Sequence, residues 1–341
     1  MNSSSLNYSI QRKHIYFCLV SMLIVLFFNN CSNILNEDQG FYRIPEPAFS
    51  SFDKKPSWSP DGQKIIFKRW FIVNIDRDKG SDIDVDSTGF WTMDIDNGNM
   101  KFLAQGVALN SPDYSPDGYW IVFDYAGIIY KAPVIGDSLD LANRIKLTKS
   151  GSDHSPEWST DGEWIVYKKS TGSTMGVWII KQDGSERKHI FNYGRSSPTW
   201  HTNSMNIFTF AGPFLDDYML KFYPFTEATP DTIESIKNSD NRYPKISPDG
   251  RSVAFSSSEE GKKRYIWTMN IDGADKRRLT NGDQPAWSPD GTKIAFMWYS
   301  QAGGLGTIWV MNSNGENTRQ LTFLPQNVLD SLAVFGYDIR R

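Results

Sequence analysis

An aspartate-rich stretch is the most conspicuous chemistry-bearing feature of the sequence. Five aspartates fall between positions 76 and 86, and three of them alternate in the segment DIDVDSTG, at Asp82, Asp84 and Asp86. Alternating aspartates can direct several oxygens towards one hard cation, as calcium loops do. The spacing lacks the sixth-position glycine and the closing glutamate of an EF-hand. Two interpretations stay open: a calcium site, or an acidic loop exposed to solvent.

A second polar set recurs two positions before a repeated proline. Its members are polar and varied, and one interpretation is a ring of residues that binds a ligand or partner. The alternative interpretation is a solvated rim without a ligand. The six residues are Lys54, Asn110, His154, Ser196, Arg242 and Asp283.

The sequence contains few other groups arranged for catalysis. The four histidines are scattered, and neither an H-E-x-x-H metal motif nor a G-x-S-x-G nucleophile elbow is present. No phosphate loop or dinucleotide fingerprint occurs either. We therefore predict a binding protein in preference to an enzyme, assign no catalytic residue, and expect no cofactor apart from the calcium considered above.

The N-terminal residues have the features of an export signal. Arg12 and Lys13 precede an apolar run from Ile15 to Phe28, which is shorter than the roughly 20 apolar residues of a membrane-spanning helix. The segment LFFNNC, ending at Cys31, resembles a bacterial lipobox, whose cysteine is acylated. These features predict a signal peptide, lipidation of Cys31 and a location in the cell envelope, periplasmic or outer-membrane. An uncleaved N-terminal anchor is the alternative.

Charge and composition exclude one class of partner. Without residues 1–30 the chain holds 34 basic and 39 acidic side chains, a net charge of −5, and no basic stripe. Nucleic-acid binding is therefore not expected. Because Cys18 lies in the signal, Cys31 would be the only cysteine left, and no intrachain disulfide is expected.

An internal repeat must position these residues. Each of six segments begins with proline, carries an anchor residue two positions later and a β-branched residue seven positions after the anchor. The spacing of the anchors is close to the ~40–45 residues of a four-stranded propeller blade. The segments are PSWSPDGQKIIF from Pro56, PDYSPDGYWIVF from Pro112, PEWSTDGEWIVY from Pro156, PTWHTNSMNIFTF from Pro198, PKISPDGRSVAF from Pro244 and PAWSPDGTKIAF from Pro285.

The turn sequences predict how each blade is built. Ser-Pro-Asp-Gly makes a tight reversal between the first two strands, because proline fixes φ and Asp-Gly supplies a positive φ. The linkers between blades and the loops between second and third strands then share one face. That face holds the aspartate-rich loop and the polar residues around the mouth of the central channel. In the fourth repeat His201-Thr202-Asn203-Ser204 replaces Ser-Pro-Asp-Gly, which predicts another type of hairpin.

The unit WSPDG…IAF…IW…DG…LT resembles the repeat of the TolB-type periplasmic propeller family over about residues 56 to 322. The resemblance implies an all-β fold, a six-bladed β-propeller of four-stranded antiparallel blades. It implies less about function, since similar repeats occur in peptidase propellers and in oligogalacturonate lyase-like propellers. The smaller N-terminal domain of that family is not expected, because only residues 32–55 separate Cys31 from the first repeat.

These observations predict both a domain organisation and a function. The organisation is a signal at 1–30, a tether at 31–55, a propeller at 56–322 and a tail at 323–341, with the tail or residues around Phe41 to Ile44 as candidate ring-closing strands. The expected function is that of a lipid-anchored, monomeric envelope protein that binds a protein or cell-wall polysaccharide at the channel mouth. The alternatives are an oligogalacturonate lyase-like enzyme and a peptidase-type propeller without its catalytic domain.

Overall fold

The six repeats fold into six small antiparallel sheets, which form the blades of a six-bladed β-propeller. The predicted all-β fold class is therefore confirmed. The predicted signal, Cys31 and both candidate closing strands lie outside the residues that can be described. The computed structural model describes residues 53–76, 80–149, 151–192, 196–211, 218–226, 228–237, 239–259, 263–299, 305–324 and 329–330.

Each blade takes its strands from one continuous stretch of chain, with the first strand innermost. Blade one also carries an inserted hairpin, and the outer edge of blade two is split in two around a 3₁₀ turn, Leu141–Asn143. Blade one comprises β1 (Asp53–Trp58), β2 (Lys64–Arg69), the inserted β3 (Ile72–Asp76) and β4 (Gly80–Ile83), β5 (Gly89–Asp94) and β6 (Met100–Gln105). Blade two comprises β7 (Leu109–Tyr114), β8 (Trp120–Tyr125), β9 (Ile128–Ile135), β10 (Ser138–Leu139) and β11 (Ile145–Lys146). Blade three comprises β12 (Asp153–Trp158), β13 (Trp164–Lys169), β14 (Gly176–Lys181) and β15 (Arg187–Phe191). Blade four comprises β16 (Thr199–Trp200), β17 (Ile207–Ala211), β18 (Tyr218–Phe222) and β19 (Asp231–Ile233). Blade five comprises β20 (Ser239–Ile246), β21 (Ser252–Glu259), β22 (Tyr265–Asn270) and β23 (Arg277–Asn281). Blade six comprises β24 (Asp283–Trp287), β25 (Lys293–Tyr299), β26 (Gly306–Asn312) and β27 (Arg319–Gln320).

Apolar side chains fill the spaces between adjacent blades. Anchor residues such as Trp58 and Trp200 are buried, and an aromatic or aliphatic side chain of this size gains roughly 1.5–3 kcal/mol from full burial. The third-strand tryptophans lie farther out and are half-buried; the Arg187 guanidinium covers Trp178 at 4.1 Å from the ring centre. The β-branched position of the repeat is fully buried in every blade, at Ile65, Ile121, Ile165, Ile207, Val253 and Ile294.

The Ser-Pro-Asp-Gly turns are held by their own side chains. In blade one the Ser59 hydroxyl donates to the Asp61 carboxylate at 2.6 Å and accepts from the Lys64 amide at 2.9 Å. Gly62 has a φ of +70°, as the predicted turn requires. This short-range bonding lets each blade specify its first hairpin locally.

Blade four forms the same hairpin with different residues. The His201 amide donates to the Asn206 carbonyl at 2.8 Å and the Ser204 amide to the His201 carbonyl at 2.9 Å, as the equivalent groups do in blade one. Ser204 takes the left-handed conformation, with φ +55°, at a cost of roughly 1–2 kcal/mol for a residue with a Cβ. The prediction of another hairpin type is therefore wrong.

The ring closes between blades six and one without strand exchange among the described residues. The Trp58 indole N–H donates to the Ala286 carbonyl at 3.0 Å. Asp53 and Arg69 form a buried bidentate ion pair, with N–O distances of 2.7 and 3.0 Å. The same guanidinium donates to the Phe323 carbonyl at 3.2 Å, beyond the last strand. The first blade thus binds both the inner strand and the C-terminal end of the sixth.

Candidate functional site at the channel mouth

A bulge at the repeat proline builds most of the channel wall. In five blades the register between the inner strand and its neighbour shifts at this proline. The residue before the proline has a left-handed backbone, with φ between 49° and 56°, although none of the five is glycine. Bulges re-aim side chains, and the residues on both sides of the proline line the channel. The left-handed residues are Lys55, Ser111, Ser155, Tyr243 and Gln284.

The layer after the proline is the deeper one, because the inner strands run from the mouth towards the hairpin turns. Glu157 accepts a hydrogen bond from the Lys245 ammonium at 2.5 Å, and Asp113 accepts one from the Ser57 hydroxyl at 2.8 Å. Burial raises the pKa of Asp113 to about 6, although the Lys245 ammonium opposes this rise. Burial alone would lower the pKa of Lys245, but the two carboxylates raise it. This layer therefore holds two carboxylates and one ammonium group, and each carboxylate accepts at least one hydrogen bond.

The layer before the proline, on the mouth side, is composed differently. The Lys55 ammonium lies 3.4 Å from the Ser155 hydroxyl and 4.3 Å from the centre of the Tyr243 ring. Burial lowers the pKa of Lys55 to about 8. We call this set, Lys55 with Ser111, Ser155 and Tyr243, the mouth-side layer. It presents one cation and several hydroxyl groups to the channel.

The six predicted site residues lie beside the channel wall, within the first four residues of the inner strands or, for Ser196, three positions before its strand. Ser196 and Asp283 are buried, and the other four are half-buried. Ser196 accepts a hydrogen bond from the Tyr243 amide at 2.7 Å and so supports a residue of the wall. Their role in binding stays a prediction, and the channel itself is lined by their neighbours.

On the side of blades one to three, two of the predicted residues gather around a buried carboxylate. Asp124 accepts the Ser155 amide at 3.2 Å and lies 3.5 Å from the His154 imidazole Nδ1. Burial lowers the pKa of Lys54, and the Asp124 carboxylate opposes this shift. The fold thus places Lys54 and His154 around one acid, and Asn110 is paired with that acid in the sheet.

On the side of blades five and six, a second group links two other predicted residues. Arg242 and Arg264 each bind the Asp240 carboxylate at 2.8 Å, and Arg264 also lies 3.7 Å from Asp283. Burial raises the pKa of Asp240, but the hydrogen bonds from the two guanidinium groups outweigh it and leave the pKa below its usual value. This carboxylate is therefore ionised and fully engaged.

At the mouth the acidic side chains are buried, whereas two basic side chains are partly exposed. The acidic side chains lie beneath the surface, with exposed fractions of 3% for Asp124, 10% for Asp240 and 6% for Asp283. The basic side chains His154 and Arg242 are 38% and 39% exposed. A molecule at the channel mouth itself therefore meets mainly basic groups and hydrogen-bond donors, while the exposed Asp82 and Asp86 belong to the inserted loop of blade one.

The aspartate-rich loop forms the inserted hairpin and the turn after it. Asp84 accepts hydrogen bonds from the Ser87 hydroxyl at 2.7 Å and the Asp86 amide at 3.0 Å, and these bonds lower the pKa of Asp84. Asp86 accepts a hydrogen bond from the side-chain amide of Gln105 at 2.9 Å, and Asp82 is exposed. Within the described ranges no group of three or more metal-ligating side chains stands ready to hold an ion. Calcium at this loop stays a prediction.

Comparison with known proteins supports the reading of the repeats. Residues 228–334 match the family model described as the TolB beta propeller domain. This part of the chain therefore carries the TolB-type propeller repeat. An uncharacterized protein of Agrobacterium fabrum is 26% identical over 195 residues, which cover 55% of this chain and 65% of the relative. TolB of the Tol-Pal system of Rhizorhabdus wittichii is 40% identical over 57 residues, 16% of this chain and 13% of the relative. The chain therefore spans less than two thirds of these relatives.

Solved structures agree with the TolB-type fold. A putative TolB from Agrobacterium tumefaciens superposes with a TM-score of 0.58 at 20% identity, covering 67% of this chain and 86% of that one. TolB from Acinetobacter baumannii gives a TM-score of 0.59 at 16% identity, covering 74% and 62%. At these identities the likeness concerns the fold. Among the described residues there is no helix with the length and hydrophobicity needed to cross a membrane.

The residues that line this channel were not predicted from the sequence. The predicted set lies two positions before the proline, whereas the bulge turns the adjacent residue into the channel. One signal was available, since the position directly before the proline is polar in all six repeats. The bulge itself had no local signal, because no glycine occupies that position.

Proposed function

We propose that this TolB-type propeller is a cell-envelope binding protein whose channel-mouth face docks a partner that presents acidic groups. The observation that carries the proposal is the segregation of charge at the mouth, where His154 and Arg242 are accessible and the carboxylates beneath them are buried and paired. Complementary charge steers association and fixes the orientation of a complex. The N-terminal signal features and the relative from a Tol-Pal system support the envelope location.

The mouth face can be tested without disturbing the fold. In the double variant His154→Ala and Arg242→Ala, Asp124 retains its hydrogen bond from the Ser155 amide, and Asp240 retains its ion pair with Arg264. We expect the variant to retain the melting temperature of the natural protein and to capture its envelope partner at least about tenfold less well, since basic anchors of an interface commonly contribute this much. The readout is affinity capture from envelope extracts, followed by mass spectrometry.

Arg251 provides the matched control for that experiment. It is exposed and lies in a hairpin turn at the opposite end of the inner strands, so Arg251→Ala should leave capture unchanged. Equal capture by the natural protein and the double variant would refute the mouth face as the docking surface.

We also propose that Cys31 carries a lipid anchor. The sequence before it supports export and acylation, and two acyl signals suffice for stable membrane attachment. Cys31→Ser should move the protein from the membrane fraction to the soluble envelope fraction and abolish incorporation of radiolabelled palmitate. Continued palmitate incorporation by Cys31→Ser would rule out this site.

A further inference from the structure

The mouth-side layer has the composition of an anion receptor. It holds the Lys55 ammonium, and no carboxylate of the described residues forms an ion pair with that group. The Ser155 hydroxyl accepts from Lys55, so its own proton is left to donate into the channel. The carboxylates of the deeper layer are engaged with Lys245 and Ser57. One positive charge therefore faces the mouth without a partner of opposite sign in its layer.

Ser111 supplies an independent indication of a ligand. Ser111 is 6% exposed and is one of the residues that line the channel, and its hydroxyl oxygen is enclosed and has no hydrogen-bond partner among the described residues. A buried hydroxyl without a partner costs free energy, so a rotation of this short side chain that brought the hydroxyl to a water or a ligand atom in the channel would be favourable.

The size of the channel limits what can enter this layer. The cavity between the six prolines has a volume of about 50 Å³. On this measure one water molecule needs roughly 10–15 Å³, and pockets for whole small molecules measure roughly 300–1,000 Å³. The space therefore admits one small polar group on a narrow stem and excludes a sugar ring.

We propose that the mouth-side layer, formed by Lys55, Ser111, Ser155 and Tyr243, receives a single carboxylate from an acidic side chain of the docked polypeptide. The Lys55 ammonium and the two serine hydroxyls donate to the carboxylate oxygens, and charge-assisted hydrogen bonds of this kind are stronger than neutral ones. A uronic acid has the same charge, but its carboxylate is attached directly to a pyranose ring, which the cavity excludes. The partner role rests on the proposed function, whereas the carboxylate site can be tested by itself.

Small probes test the site on the intact propeller. Acetate should shift the NMR amide signals of Ser111 and Tyr243 in a saturable way, and acetamide, its neutral counterpart, should not. The peptide acetyl-Gly-Glu-Gly-amide should bind and acetyl-Gly-Gln-Gly-amide should not. Galacturonate should fail to bind, and binding as tight as that of acetate would overturn the assignment to a polypeptide.

Variants then identify the residues that bind. Lys55→Gln and Ser111→Ala should each weaken acetate binding, the former at least about tenfold, since hydrogen bonds to charged groups are the stronger kind. Lys64→Gln is the matched control, because Lys64 is 41% exposed at the hairpin end of β2. An unchanged acetate affinity in Lys55→Gln would overturn the proposal, and the preserved dispersion of the amide spectrum shows that each variant is folded.

The pH dependence of acetate binding gives a further criterion. Burial and the Lys54 and Lys245 ammonium groups lower the pKa of Lys55, while Asp124 and Asp283 oppose the shift. The ammonium form that binds the anion is present below about pH 8 and is lost above it. Acetate should therefore bind more weakly at pH 9 than at pH 7, and the dependence should vanish in Lys55→Gln. Equal binding at both pH values would contradict the role of Lys55.

The two proposals can fail separately. If acetate does not bind while the mouth-face variant still loses capture, the carboxylate site is wrong and the docking surface stands. If acetate binds as expected while capture is independent of the mouth face, the proposed function is wrong and only the local chemistry remains.

Discussion

Arg69→Met should lower the free energy of unfolding by roughly 3–5 kcal/mol, because it leaves the Asp53 carboxylate buried without its partner. Asp53 is fully buried and the Arg69 side chain is 6% exposed, so water cannot replace the lost bonds. The same guanidinium holds the Phe323 carbonyl, and its removal also loosens the joint between blades six and one. Urea unfolding followed by tryptophan fluorescence would measure the change.

Two controls isolate the buried charge in that experiment. Combining Arg69→Met with Asp53→Asn removes the unpaired carboxylate, and the double variant should be more stable than Arg69→Met alone. Lys101→Met removes a cation from an exposed ion pair with Asp137 and should leave the unfolding midpoint almost unchanged, since exposed pairs contribute little. A loss below about 1 kcal/mol in Arg69→Met would contradict the importance of the buried pair.

Gly176→Ala should destabilise the propeller by at least about 3 kcal/mol, because the new methyl group would collide with the backbone of the neighbouring strand. A Cβ at this position would lie 1.7 Å from the Phe191 carbonyl oxygen. The φ of +141° is also one that only glycine adopts readily. Relief would require β14 and β15 to separate at Val177 and Phe191, which are paired in the sheet.

Gly98 offers the matched control for the backbone collision. Its φ is also positive, at +72°, but a Cβ there would meet no atom within 4 Å. Gly98→Ala should therefore cost only the roughly 1–2 kcal/mol of a left-handed alanine. Urea unfolding of both variants separates conformational strain from steric overlap. Equal losses for the two substitutions would show that the strand contact at Gly176 is not tight.

The blades could be predicted from the sequence because each is specified locally. The anchor, the Ser-Pro-Asp-Gly turn and the β-branched residue all lie within twelve positions of one another, and consecutive strands pair as hairpins. The blade-four turn was predicted wrongly because its local signal is missing while its tertiary support is present. The Ser204 hydroxyl accepts the Asp161 amide of blade three at 3.1 Å, a contact that no local pattern contains.

The channel wall could not be predicted for the same physical reason. A non-glycine residue with positive φ before a proline is contrary to local preference, so the bulges at Lys55 and Tyr243 depend on packing around the whole ring. The mouth groups show a related limit. The repeat placed Arg242 and Asp283 correctly near the mouth, but it contained no sign of Arg264. That residue directly precedes the third strand of blade five, binds Asp240 together with Arg242, and lies close to Asp283.

The joint between blades six and one allows the order of the blades along the chain to be changed by circular permutation. Because no described strand crosses that joint, it resembles the other five contacts between blades in being made without a shared sheet. A circularly permuted gene that opens the chain between two other blades would leave every sheet with its own four strands. By the same property each blade is a continuous module of the gene, which a duplication or deletion would add or remove whole.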